Sequence, residues 1–166
     1  MKRFLIAGTL SLISSAALAI YPYPAVFQQK IPSTPKTLFL TGGTTWTVPS
    51  DWNSSSNTIV AIGGGGAGSD GTWLNGGAGG GASVSTNVSL TPSATVYTSI
   101  GTGGASNGAA GGDTWLNKTS NAAPTSTSDG VLAKGGGGGP SSSSIAQGGA
   151  SASGVGATKY SGGNGG

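Results

Sequence analysis

The side chains able to do chemistry are few. The chain has no His, Cys or Glu, and its acids are Asp51, Asp70, Asp113 and Asp129. A Ser-His-Asp triad, a thiolate nucleophile and a zinc site built on imidazole or thiolate are excluded by composition alone. Two aspartates stand in matching contexts. Asp70 shortly precedes Thr72-Trp73-Leu74-Asn75, and Asp113 precedes Thr114-Trp115-Leu116-Asn117, both among glycines. Paired carboxylates are what glycosidic cleavage needs. One of the two must also be buried enough to raise its pKa, and glycine loops offer little burial. Calcium is the other use of such aspartates, but neither has the spacing of a known calcium loop. Gly66-Ala67-Gly68-Ser69-Asp70-Gly71 satisfies the dinucleotide pattern G-x-G-x-x-G after a strand-like run. No helical pattern follows it, and no acid stands about 20 residues on. Asn53, Asn87 and Asn117 open N-x-S/T sequons, which chance supplies in so Ser/Thr-rich a chain. The residues point away from an enzyme, and no cofactor or metal is expected.

Charge excludes a further class. Seven basic residues against four acidic ones give +3, and without Lys2 and Arg3 the balance is five against four. Binding to phosphates needs clustered Lys and Arg, so no nucleic-acid partner is expected.

What must position these residues is a repeated junction. Residues 58–68 read TIVAIGGGGAG, a β-branched run that empties into glycines, and the same hand-over returns at 95–104 (TVYTSIGTGG) and 131–139 (VLAKGGGGG). The junctions Ile62/Gly63 and Ile100/Gly101 lie 38 residues apart and Lys134/Gly135 follows 34 later, a loose period. All but Gly8, Gly42 and Gly43 of the 34 glycines fall at or after Gly63. Such composition is compatible with flexible coil. Trp46, Trp52, Trp73, Trp115 and the apolar runs oppose disorder. Polyglycine II is the ordered alternative, a left-handed helix with three residues per turn, whose neighbours can bond laterally because glycine lets backbones approach. On that reading Gly63, Gly64, Gly65, Gly66, Gly79, Gly80, Gly81, Gly135, Gly136, Gly137, Gly138 and Gly139 are scaffold. Much of the 35% apolar fraction is alanine and there is no disulfide. Backbone hydrogen bonding, oligomerisation or a partner must therefore supplement a thin core.

Along the chain, residues 1–19 read as a secretory signal: Lys2 and Arg3, an apolar stretch, and Ala17-Leu18-Ala19 as cleavage site. A retained anchor competes, but Ser14 and Ser15 interrupt a stretch already short for a span, so no stable membrane insertion is expected after cleavage. Residues 20–36, with four prolines, form a leader or linker. Residues 37–166 form one glycine-rich β domain. Within it, 37–49 look like a hairpin with Trp46 and Val48 on one face, and 82–90 like a strand with Val84 and Val88 on one face. The two TWLN copies are read as neighbouring loops lidding the glycine tracts. No helical period occurs after the signal, so the fold class is all-β: a small β-sandwich with polyglycine II-like loops, partly low-complexity. The chain stops inside a glycine tract, 162–166, which suggests a fragment truncated at the C-terminus or a chain that ends early.

Residues 44–49 (TTWTVP), 59–66, 79–82 leading into 88–92, 97–104, 111–115 and 133–139 occur in an order and spacing that resembles the glycine-rich domain of phage tail-fibre and bacterial surface proteins. The similarity covers about 38–166. It implies a non-enzymatic module in which packed polyglycine II tracts hold loops for a host surface, with 69–75, 105–110 and 117–129 as contact loops. Trp73, Leu74, Trp115 and Leu116 are the candidate surface contacts, although packing is the plainer role for both tryptophans. The implied partners are a cell-surface polysaccharide or outer-membrane protein, and other virion, tail or envelope proteins. The implied location is extracellular or on a virion. Two rivals are a secreted matrix or coat protein without a specific ligand and an ice-binding polyglycine II protein. The latter wants a flat face of small residues, which the bulky TWLN loops oppose.

Overall fold

Short β-branched runs bounded by glycine and turn residues fold here as short strands. The computed structural model describes residues 34–70 and 74–166. The predicted signal segment 1–19, residues 20–33 of the predicted leader, and the predicted contact Trp73 lie outside the described residues. The chain divides into units Met1–Thr37 and Leu38–Gly166. Of the first, only 34–37 are described, exposed and without regular structure.

The second unit is nearly all-β. Its strands are β1 (Thr45–Thr47), β2 (Thr58–Ile62), β3 (Ala82–Thr86), β4 (Thr95–Ser99), β5 (Thr114–Asn117), β6 (Gly130–Ala133) and β7 (Thr158–Tyr160), with a 3-10 turn at Ser151–Ser153. Two antiparallel sheets result, ordered β1-β4-β5-β6 and β2-β3-β7. They pack as a small sandwich. Val48, Val88, Leu90, Val96 and Leu116 form one buried cluster, Ala61, Val131 and Ala133 a second, and half-buried Ile59 touches both. Trp46 and Trp52 pack edge to face on the first cluster, ring centroids 5.8 Å apart. The Trp52 indole donates to the Val88 carbonyl at 3.1 Å. Leu132 and Val155 exchange two backbone bonds of 2.8 Å. That exchange ties the 150s loop to the end strand β6.

Three expectations are corrected. Residues 37–40 are not a strand: Leu38 and Phe39 are 61% and 81% exposed, and β1 pairs instead with β4. An apolar alternation without a strand to pair with does not make a ladder. In β3 the inward residues are Ser83 and Ser85, 1% and 6% exposed, while Val84 is half-exposed and Val88 lies beyond the strand in the first cluster. The physical reason is the approach of β6, whose Leu132 carbonyl takes the Ser83 hydroxyl at 2.6 Å. A valine there could not make that bond. Thirdly, residues 114–117 are no loop. They are β5, an interior strand between β4 and β6.

The turns follow their residues. Pro92 and Ser93 occupy the centre of a turn closed by Ala94 N–H to Thr91 C=O, with Ser93 at φ 62°. That is a type II geometry, which fixes proline first and a left-handed residue second.

The glycine tracts leave the strands at one end of the sandwich. Gly63 continues β2, Gly81 precedes β3, Gly101 follows β4, Gly112 precedes β5 and Gly135 follows β6. Their bonding differs from a β-ladder. The N–H groups of Gly63 and Gly66 donate to Gly81 and Ala78, and those of Gly64 and Ala67 donate to Gly112 and Ala109. The carbonyls of Gly64 and Ala67 accept from Gly136 and Gly139, and those of Gly65 and Gly68 accept from Gly104 and Gly108. One segment thus bonds four neighbours, each contact recurring at intervals of about three residues. A strand in a flat sheet has at most two neighbours and a period of two. Close approach is why glycine stands at Gly66, where a Cβ would overlap the Gly137 carbonyl.

Candidate functional site

The four aspartates scatter. Asp113 sits where β5 meets the tracts; its Oδ1 accepts the Gly135 N–H at 2.9 Å and its Oδ2 pairs with the Lys134 ammonium. Asp129 accepts from the Ser126 hydroxyl at 2.7 Å and closes the turn before β6. Asp70 is exposed at the far end of 63–68, so Asp70 and Asp113 lie at opposite ends of the tracts. They do not make a carboxylate pair. Among the described residues no three His, Cys, Asp or Glu side chains gather as a metal site. No helix among them is long and apolar enough to cross a membrane.

The arrangement that can act as a site is the far end of the tracts. Three connections meet there, the first through its described residues Ser69, Asp70, Leu74 and Asn75, the others being 105–108 and 140–145. Ser69 and Asn75 close the first, with the Ser69 N–H on the Asn75 carbonyl at 2.9 Å and the Asn75 N–H on the Ser69 hydroxyl at 3.0 Å. The Asn75 amide then donates to the carbonyls of Pro140 and Ser142, latching the first connection to the third. The second is a tight turn. Ala109 N–H bonds Ser106 C=O at 3.0 Å, and Asn107 and Gly108 have φ of 53° and 72°. Both central residues are left-handed, which defines a type I′ turn. Gly108 N–H reaches the Gly68 carbonyl and so anchors this turn to the first connection. The exposed faces are polar and small, Asp70, Ser106, Asn107 and Ser141 among them, with Leu74 81% and Ile145 50% exposed. Side chains of this kind offer hydrogen-bond donors and acceptors, on backbone that Ser69, Asn75 and Gly108 bond in place in the first two connections and that the Asn75 amide holds by two carbonyls in the third.

The predicted contact residues divide. Leu74 is at this end and exposed, and Trp73 is outside the described residues. Leu116 is 6% exposed and belongs to the first core cluster, so it is no surface contact; Trp115 is half-buried beside it in β5. The reason is register: Leu116 faces Thr98 and Val131 across the sheet interior. Of the predicted contact loops, 117–129 starts at a buried residue. Asn117 is 3% exposed, its amide donating to Ala122 and its Oδ1 accepting from the Thr119 and Ser120 N–H groups. Its sequon is therefore structural. Sequence reasoning missed Asn107-Gly108, whose dipeptide is the usual mark of a type I′ turn, and Asn75, whose latching role carries no sequence signal. The scaffold glycines line the tracts, with Gly63, Gly64, Gly66, Gly79, Gly81, Gly136, Gly137 and Gly139 donating backbone bonds to other segments. Compared with protein-family models, curated proteins and solved structures, the chain matches none.

Proposed function

We propose that this chain is a non-enzymatic display module in which glycine tracts associate as a polyglycine II bundle and hold three connections for recognition of a cell-surface partner. The partner is a surface polysaccharide or an outer-membrane protein, and the module belongs to a tail-fibre-like virion part or an exported surface protein. The observation that carries the reading is the joining of the three connections by Asn75, which reaches Pro140 and Ser142, and by Gly108, which reaches Gly68. The three-residue recurrence of the bonds along 63–68 supports the polyglycine II part, since that helix has three residues per turn. Recognition works by rigidity. A loop already held by backbone bonds loses less freedom on binding, so more of its contact energy appears as affinity.

The test is binding of labelled protein to whole bacterial cells and to purified envelope polysaccharide. Asn75→Ala, which releases the latch, is expected to weaken binding while the sandwich stays folded. Absence of binding to every surface offered rejects the reading and favours a coat or matrix protein. One observation speaks for that second reading. Val60, Ile62 and Tyr160 are 55%, 65% and 59% exposed on the outer face of the β2-β3-β7 sheet, a surface suited to lateral packing in an assembly.

A further inference from the structure

The opposite pole of the sandwich carries a second feature. Strands β3 and β5 leave the glycine tracts at their first residues, and β6 and β7 enter them at their last, so their other ends gather away from the bundle. There a cleft of about 410 Å³ opens between 85–89, Lys118, Thr127 and Ala157. Its volume falls in the range of small-molecule sites, roughly 300–1,000 Å³.

Its lining has a definite chemistry. Thr86, Asn87, Ser89 and Thr127 contribute neutral hydroxyl and amide groups, inward-facing Ser85 has a hydroxyl that accepts the Ala157 N–H at 3.4 Å, and Lys118 contributes a cation. No acid lines it. The nearest acid in sequence, Asp129, is engaged with the Ser126 and Ser128 hydroxyls. Lys134 is paired with Asp113 and Lys159 donates to the Gly154 carbonyl at 3.2 Å, whereas the Lys118 ammonium has no bonded partner among the described residues. The side chains of Asn87, Ser89 and Thr127 are likewise without one. The backbone is fixed at two of these residues. Asn87 is held left-handed at φ 53° with its N–H on Asn57, and Lys118 N–H is bonded to Asp129 C=O. Asn117, buried beside Lys118, pins the following turn by donating to the Ala122 carbonyl and accepting from Thr119 and Ser120.

We propose that this cleft binds a uronic acid residue, the Lys118 ammonium taking its carboxylate and the Asn87, Ser89 and Thr127 side chains taking its ring hydroxyls. A bare oxyanion would use the cation alone and leave the neutral groups idle; a neutral sugar would leave the cation idle. The lining has no aromatic ring to stack a sugar, so affinity rests on polar contacts and lies in the millimolar range. The site is separate from the loop-bearing end and stands or falls independently of it.

The experiment is a titration of the full chain, followed by amide ¹H–¹⁵N spectra, with glucuronate, glucose and acetate in parallel. Glucuronate is expected to shift the amides of 85–89, Lys118 and Thr127, with glucose and acetate each weaker by at least about fivefold. Lys118→Gln should bring glucuronate down to the level of glucose. Asn87→Gly, which keeps the left-handed backbone and deletes the amide, should weaken both sugars without moving distant resonances. Leu74→Ala, at the other pole, should leave the shifts unchanged. Equal responses to glucuronate and glucose overturn the role of Lys118, and equal responses to glucuronate and acetate overturn the sugar. A spectrum that does not move at these residues overturns the site.

Discussion

A methyl group placed on Gly66 would run into the Gly137 carbonyl, whereas one placed on Gly163 would meet nothing within 4 Å. Neither glycine has a left-handed backbone, so the two differ in space alone. Gly66→Ala is expected to cost roughly 1–3 kcal/mol, the usual penalty of forcing extra volume into a packed interior. Gly163→Ala should stay within about 0.5 kcal/mol. Urea midpoints of the two variants measure this, and equal midpoints would mean that the tracts are not packed. Asp113 allows a second comparison. Its two oxygens serve different partners, one the Gly135 N–H and the other the half-exposed Lys134 ammonium. Exposed ion pairs contribute about 0–1 kcal/mol, while a lost carboxylate acceptor strands a backbone donor at about 1–3 kcal/mol. Asp113→Ala should therefore destabilise more than Lys134→Met, and the difference should survive added salt, which screens only the ion pair.

At the scale of elements, the two TWLN copies show how little four residues determine alone. The second copy forms β5 and buries Leu116; in the first, Leu74 is solvent-exposed. Leu116→Ala should cost roughly 2–5 kcal/mol by leaving a core cavity. Leu74→Ala should change thermal stability by no more than about 0.5 kcal/mol. The junctions at Ile62/Gly63 and Lys134/Gly135 were legible because β-branched runs against glycine change both propensity and period within one residue. Strand β2 matches its run of TIVAI, and β4 ends one residue short of its predicted Ile100. β5 and β7 were not legible, because TWLN and TKY are too short to show an alternation and owe their conformation to strands far away in sequence. The same cause hid the orientation of β3. Two valines looked like an inward face, but the neighbouring backbone selected serines that could approach and bond it. The Asn107-Gly108 turn was written in the sequence, whereas Asn75 acquires its role from two carbonyls some 65 residues away.

The whole molecule divides its stability between two kinds of interior. The sandwich has side-chain clusters of a few residues each, and the tracts have almost no side chains to bury, so their cohesion comes from backbone bonds in which each segment serves several others. Such bonds contribute about 0.5–1.5 kcal/mol each when formed, and more is lost when a buried partner goes unpaired. A network of that kind should open cooperatively. Hydrogen exchange resolved by residue provides the check. The amides of Gly64, Gly66 and Gly136 are expected to be protected by at least about a thousandfold, as for amides released only by large-scale opening. The exposed 141–144 amides should exchange near the unprotected rate, with only Ser144 N–H slightly slowed by its long bond to the Ser142 hydroxyl. If Leu132 in the sandwich exchanges at the same rate as Gly64 and shares its dependence on denaturant, sandwich and tracts open as one unit. The strands then do more than anchor the glycines, because unfolding one sheet would release every segment it feeds. If Gly64 exchanges faster than Leu132 but still slowly, the tracts form a separate, weaker unit that can loosen while the sandwich persists. Exchange of Gly64 and Gly66 at the coil rate would leave 69–75, 105–108 and 140–145 without a common frame, and a rigid recognising end could not exist on this chain.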